Sequence, residues 1–206
     1  MTFPDRKFSD ISAYASAYFD QCKAAHASVD ADKLDAAFAL LDEAYGRGAV
    51  LYVCGNGGSA AISNHLVCDH SKSGQQDTGR RPKVVSLSTN IEMITAIAND
   101  ISFEEIFVYQ LRTLAEPGDM LLTISSSGDS ENVVKAAQWA KNNGLSVIAF
   151  TGFDGGRTAG LADINLHVAG DNYGVVEDIH QGLMHILAQF LRQSHMDEAT
   201  ITDRRF

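Results

Sequence analysis

The sequence predicts an α/β fold, a three-layer sandwich in which a five-stranded parallel sheet is flanked by helices and preceded by an N-terminal helical hairpin. Three observations predict it. Five short apolar runs recur after residue 48, segments of helical character lie between most of them, and two runs lead straight into small-residue loops. Strands alternating with helices imply parallel pairing, because each crossover lays a helix over the sheet and buries both faces.

The elements follow in order. Phe8, Ile11, Tyr14, Tyr18, Phe19, Cys22 and Val29 keep helical spacing, and Leu34, Ala37, Phe38, Leu41 and Tyr45 repeat it after a polar break at Asp30 to Asp32. These two helices form the hairpin, residues 1–48. It carries more apolar and aromatic groups than one core contact requires, so part of it is expected to pack on another subunit. Strands are predicted at Ala49 to Cys54, Lys83 to Ser86, Met120 to Ile124, Leu145 to Phe150 and Ile164 to Val168. Helices are predicted at Ala60 to His70, Ile91 to Ala98, Glu104 to Ala115, Asn132 to Lys141 and Val176 to Gln193. Pro117-Gly118-Asp119 and Asn142-Asn143-Gly144 supply turns, and Ser102 with Glu105 has capping-box spacing. Gly74 to Pro82 is polar and charged, which predicts a mobile surface loop near a site mouth. The whole chain, 1–206, is read as one domain, with an α/β core over 49–195 and a tail over 196–206.

Composition narrows the function classes. A formal charge of −10 over 206 residues argues against nucleic acid as a partner, since that affinity comes from Lys and Arg replacing phosphate counterions. No apolar run is long enough to cross a membrane, and no export signal is visible. Cys22, Cys54 and Cys68 are too few and too scattered for a disulfide framework or a thiolate metal site, so a reducing cytoplasm is expected. Cys54 and Cys68 read as small buried residues.

Two strand-loop-helix junctions point to an anion site. Leu51 to Cys54 enters Gly55-Asn56-Gly57-Gly58-Ser59, and Leu121 to Ile124 enters Ser125-Ser126-Ser127-Gly128-Asp129-Ser130. In a parallel sheet such junctions lie beyond the carboxyl ends of strands, where helix N-termini present free N–H groups. Four serine hydroxyls in six residues can surround a phosphate without a lysine. The first loop also matches the dinucleotide pattern G-x-G-x-x-G/A, but the next predicted strand ends in Ser86-Leu87-Ser88-Thr89, without the acidic residue that would bind ribose. Asn56 and Ser59 suit sugar hydroxyls and phosphate oxygens instead.

A second group of residues could do acid/base or metal chemistry. His65 and Asp69 are four apart and share a helix face, while Glu177 and His185 are eight apart on the last helix. Two histidines and two carboxylates would suit zinc or another divalent ion if the helices meet. Aldose-ketose interconversion needs a base to move a proton between adjacent carbons and an acid or metal to stabilise the enediolate. His26, His167 and His195 read as packing or solvent contacts, and His70 and His180 stay open between packing and the cluster.

With these residues assembled, the chain resembles the sugar isomerase (SIS) domain family, and within it the phosphoheptose isomerases. The resemblance rests on Cys54 to Ser59, His65-x-x-x-Asp69, Ala98-Asn99-Asp100 with Phe103 and Phe107, Ile124 to Ser130, Thr151-Gly152 through Gly156, and Ile179-His180 through His185. It implies a homotetramer with sites between subunits and one zinc ion per site. The reaction implied converts sedoheptulose 7-phosphate to D-glycero-D-manno-heptose 7-phosphate, for nucleotide-activated heptose and hence lipopolysaccharide or capsule. Substrate contacts would fall to Asn56, Gly57, Ser59, Asn90, Ser125, Ser126, Ser127, Ser130 and Glu177. The metal would fall to His65, Asp69, Glu177 and His185, and catalysis to Asp69 and His185. Family members commonly carry glutamate where this chain has Asp69 and glutamine where it has Glu177. The alternatives are an isomerase of a different sugar phosphate and a non-catalytic SIS protein that binds a replication initiator. Retention of His65, Asp69 and His185 counts against the latter.

Overall fold

A computed structural model describes residues 2–206. Five parallel strands, β1 (Val50–Cys54), β2 (Lys83–Ser86), β3 (Met120–Ser125), β4 (Ser146–Thr151) and β5 (Ile164–His167), form one sheet in the order β2-β1-β3-β4-β5. Helices α1 (Ile11–Ala27) and α2 (Ala31–Gly46) precede it. Helices α3 (Gly57–Cys68), α4 (Ile91–Asp100), α5 (Val108–Leu114), α6 (Glu131–Asn142), α7 (Gly156–Leu161) and α8 (Tyr173–Ser194) connect or follow the strands. Chain order leaves β1 towards β2 on one side and resumes at β3 on the other. The junctions after β1 and β3 therefore flank the point where the winding reverses, which is where a parallel sheet leaves a crevice.

The strand side chains alternate between two apolar layers, as period two demands. Leu51, Val53, Leu122, Ile124, Ile148 and Phe150 face one cluster with Leu41 of α2, Ile62 and Leu66 of α3, and Leu183 and Leu187 of α8. Tyr52, Cys54, Leu121 and Val147 face the other, with Ile97 of α4, Leu111 of α5 and Val133 and Ala137 of α6. Every residue of β3 is buried, as expected of the strand between β1 and β4, whereas the edge strand β2 is largely exposed.

Several expectations need correction. The hairpin helices do not close on each other. α1 packs along α8 and α2 against β5 and α8, with only slight contact between α1 and α2. Glu105 does not complete a capping box, because Lys135 and Arg112 hold its carboxylate, each at 3.0 Å, and Ser102 makes no side-chain cap. The expected helix over Glu104 to Ala115 is consequently a 3₁₀ turn at Phe103–Glu105 followed by α5. Gly74 to Pro82, expected to be a mobile loop near a site mouth, lines no part of the serine recess and is held by ion pairs. Asp77 is bound by Arg192 and Arg204, and Arg80 by Asp42, which ties the loop to α2, the end of α8 and the tail. Cys68 is exposed rather than buried, while Cys54 is buried as expected. α7 carries Gly156 and Gly160 within six residues and has too short a period to be read from sequence.

Candidate active site

The serine loop is shaped by its neighbours rather than by its own propensity. Gly128 has φ +63°, and a Cβ there would overlap the carbonyl oxygen of Gly155. Its own carbonyl accepts from both the backbone N–H and the hydroxyl of Thr158, each at 2.9 Å. Ser125 Oγ accepts from Gly128 N–H at 3.1 Å, and the Ser126 carbonyl accepts from Gly152 N–H at 2.9 Å. The junction after β4 thus clamps the junction after β3. The glycine loop after β1 is held in turn by Ser88, whose hydroxyl accepts from Gly55 N–H and donates to the Gly55 carbonyl. A reciprocal amide pair, Asn56 with Asn132 at 2.9 Å in both directions, ties the start of α3 to the start of α6.

Between these two loops lies a recess of about 120 Å³ lined by Asn56, Ser59, Ser125, Ser126, Ser127, Ser130, Tyr173 and Glu177, with Ile124 at its floor. Ser59 and Ser126 are each 4% exposed, and Ser126 Oγ has no hydrogen-bond partner among the described residues. A buried hydroxyl left unpaired costs stability, so one held in a polar recess marks a place for a ligand oxygen. Neither Asn56 nor Ser130 caps its helix through its side chain, which leaves capping of both helix N-termini to such a ligand. Glu177 reaches in from α8 because Gly58 has no Cβ, which would overlap its carboxylate. Burial, then the charge of Asp178, raise the Glu177 pKa. A larger cleft of about 480 Å³ lies between α1 and the segment before α8 and shares no residue with the recess.

The second group forms where α3 meets α8. His65 Nε2 lies 3.4 Å from Asp69 Oδ1, and His185 Nε2 lies 3.5 Å from Asp69 Oδ2. The two imidazoles meet edge to face, with ring centroids 5.1 Å apart. Asp69 opens a π-turn, Asp69–Ser73, whose next residue, His70, is fully buried and bonded to the Tyr45 hydroxyl at 2.8 Å. Ligands about 2.1 Å from a tetrahedral ion stand ~3.4 Å from one another, close to the two His–Asp69 spacings, and the ligand atoms of His65, Asp69 and His185 all lie within 4.8 Å of one another, near enough to converge on a divalent cation. Two imidazoles and a carboxylate are a donor set suited to zinc, and their partial exposure, 46%, 25% and 38%, leaves room for a further ligand.

The structure sorts the expected residues into two places. Asn56, Ser59, Ser125, Ser126, Ser127, Ser130 and Glu177 share the recess, and His65, Asp69 and His185 share the cluster. Glu177 stands outside the cluster's ligand atoms. Eight residues of helix advance about 12 Å and turn about 80°, so Glu177 and His185 sit at opposite ends of one stripe. Gly57, at φ +53°, begins α3 at the rim, and Asn90 caps α4 by accepting from Met93 N–H at 2.9 Å, outside the recess. His70 and His180 resolve as buried packing residues, each with its pKa pushed down to about 4, chiefly by burial. Asn132, Tyr173 and Gln181 were not singled out from the sequence. Gln181 was detectable, since it lies four residues from both Glu177 and His185.

The comparisons agree with this geometry. A family model described as SIS domain matches residues 15–152. The phosphoheptose isomerase of Alteromonas mediterranea is 35% identical over 177 residues, covering 84% of this chain and 89% of that protein. The phosphoheptose isomerase of Geotalea daltonii is 39% identical over 161 residues, covering 78% and 83%. Among solved structures, the phosphoheptose isomerase from Francisella tularensis superposes with a TM-score of 0.81 at 30% identity, covering 89% of this chain and 96% of that one. That from Neisseria gonorrhoeae gives 0.81 at 28%, covering 89% and 97%. With its parallel sheet, its serine recess at the winding reversal and these relatives, the chain belongs to the SIS domain family, in the phosphoheptose isomerase group.

Proposed function

We propose that the protein isomerises sedoheptulose 7-phosphate to D-glycero-D-manno-heptose 7-phosphate. The observation that carries this reading is the unpaired Ser126 hydroxyl, buried in a serine recess between two helix N-termini, from which α8 runs to a His/Asp/His cluster. The phosphate lies in the recess against Ser59, Ser125, Ser126, Ser127 and Ser130. Asn56, Gly57, Asn90 and Glu177 serve the sugar hydroxyls, Asn90 after its cap to α4 opens or from the site of a neighbouring subunit. The carbon chain then extends along the α8 face towards Asp69 and His185.

The reaction moves one proton from C1 to C2 and one from O1 to O2, with no net change in atoms. Asp69 and His185 form the acid/base pair, one taking the C1 proton and the other supplying the oxygen proton, after which the roles return. His65, Asp69 and His185 would hold a zinc ion, with Glu177 joining if α8 or its side chain shifts. An ion held there would supply Lewis-acid polarisation of the substrate carbonyl. Burial of the recess hydroxyls excludes water from the phosphate end, while the exposed cluster leaves the reacting carbons accessible.

The same reading places the protein in the cytoplasm, consistent with three free thiols, and in heptose supply for lipopolysaccharide or capsule. It also makes the protein a homotetramer with sites between subunits. Ile91, Ile101, Phe103 and Leu114 of the α4–α5 region are at least half exposed and support burial against another copy. The test is a panel of ketose and aldose phosphates, incubated with zinc-loaded and chelated protein and read by product analysis. Formation of the heptose 7-phosphate is expected. Turnover of another sugar alone would move the assignment to that sugar, and no turnover of any would overturn it.

A further inference from the structure

We infer that Tyr173 is a substrate-binding residue, the outer wall of the phosphate recess, and that Phe153 is the positioning residue that holds it there. The inference rests on the phosphate reading of the recess and adds to it one residue from α8 and one from the turn after β4. Buried serines, Ser59, Ser125 and Ser126, make the deep side of the recess, whereas Tyr173 lines it while remaining 62% exposed. Tyr173 lies one helical turn before Glu177, which puts both on the recess face of α8. Among the described residues, no lysine or arginine lines the recess. A phosphate held there by neutral donors depends on keeping water out, because hydrogen bonds to an anion strengthen as the local dielectric falls. A broad aromatic ring at the rim supplies that exclusion.

An exposed tyrosine at a helix start is ordinarily free to swing into solvent. Tyr173 is braced instead: its ring meets that of Phe153 edge to face, with centroids 4.8 Å apart and an interplanar angle of 78°. Phe153 has φ +48°, a left-handed conformation that a bulky side chain rarely adopts and that glycine or asparagine takes up at far less cost. Two flanking hydrogen bonds fix the turn. Phe153 N–H donates to the Gly170 carbonyl at 2.8 Å, in the segment leading to α8, and Gly152 N–H donates to the Ser126 carbonyl at 2.9 Å. Gly152 also lies so close to α8 that a Cβ there would overlap Val176. Successive amides of one turn therefore tie the serine loop to the approach of α8. Packing of the Phe153 ring on the neighbouring core offsets the backbone strain, and its contact with Tyr173 carries that rigidity to the rim. Strain kept at such a place marks a functional constraint.

Affinity for inorganic phosphate, followed by ³¹P NMR titration of the full chain, decides this. Tyr173→Ser is expected to weaken binding roughly tenfold, the scale of one hydrogen bond to a charged group. Tyr173→Phe keeps the ring and its brace and is expected to bind as wild type does. Phe153→Asn tolerates the positive φ but removes the brace, and is expected to weaken binding about threefold, the scale of one aromatic contact. In the Tyr173→Ser background it should cost nothing further, since it acts through that ring. Unchanged affinity in Tyr173→Ser, or an equal loss in Tyr173→Phe, would overturn the wall. A Phe153→Asn effect that persists in full in the double variant would overturn the positioning role, as would a lowered unfolding temperature with affinity unmoved. Wild type that binds no phosphate would overturn the whole inference. With a sugar phosphate that turns over, Tyr173→Ser should raise KM and leave kcat unchanged. Phosphate binding that follows these expectations in a protein that isomerises no sugar would sink the isomerase reading alone.

Discussion

The serine recess and the histidine cluster are built on opposite principles. The recess is made of loops whose backbones are locked by neighbouring loops, with glycines at Gly58 and Gly128 where any side chain would collide, and its hydroxyls are buried. The cluster is made of half-exposed side chains carried on two regular helices, and among its members only Asp69 sits at a backbone irregularity. Binding an unvarying phosphate rewards rigidity, whereas proton transfer needs groups that exchange protons with the substrate and water. A substitution in the recess should therefore threaten folding or affinity. One in the cluster should leave the fold intact and remove chemistry.

The sharpest way to break this contrast is Gly128→Ala. A methyl at φ +63° against the Gly155 carbonyl is expected to cost about 4 kcal/mol or more of stability, read as loss of the cooperative unfolding transition. A small cost would mean the loop is looser than its clamps imply. Next in size is His185→Ala, expected to lower kcat by 10²-fold to 10⁴-fold, on the order of general acid–base catalysis, with an unchanged urea midpoint. A fall in stability matching the fall in rate would erase the distinction between the regions.

Acid stability tests the buried histidines that lie beside the cluster. His70 and His180 are held neutral by burial, with pKa pushed down to about 4, against about 6.5 in an unfolded chain. Below pH 6.5 the unfolded state takes up protons that the folded state refuses. Stability is therefore full above pH 6.5 and falls as pH drops towards 4, by roughly 3 kcal/mol for each histidine. Urea midpoints at pH 7.5 and 5 should show the loss, and His180→Gln should reduce it. The smallest effect is expected from Ser126→Ala: about a tenfold rise in KM for the sugar phosphate, the size of one hydrogen bond to a charged group, with stability unchanged or improved because an unpaired buried hydroxyl is gone. A kcat effect larger than the KM effect would move Ser126 from binding into catalysis.

Much of the recess was legible because it is local: an apolar strand, a run of small hydroxyl residues and a helix start are consecutive in the chain. The pairing of His65 with Asp69 was legible for the same reason, being one helical turn. Gln181 was overlooked although its spacing was visible, because an amide between two histidines has meaning only when the second histidine arrives from another helix. The capping box at Ser102 and Glu105 misled because Lys135, 30 residues away, and Arg112, on the next helix, outcompete a local N–H for the carboxylate.

By itself, the sequence determined the alternation of strands and helices, the two junction loops and the chemical types at the site, since these follow from periodicity and residue chemistry along a continuous chain. Only the tertiary structure decided that β1 and β3 lie side by side, that α3 and α8 meet at His65 and His185, and that Glu177 belongs with the serines. Each depends on contacts between segments remote in sequence, where packing of α8 on α3 and on the sheet selects one arrangement among several that the same local patterns allow.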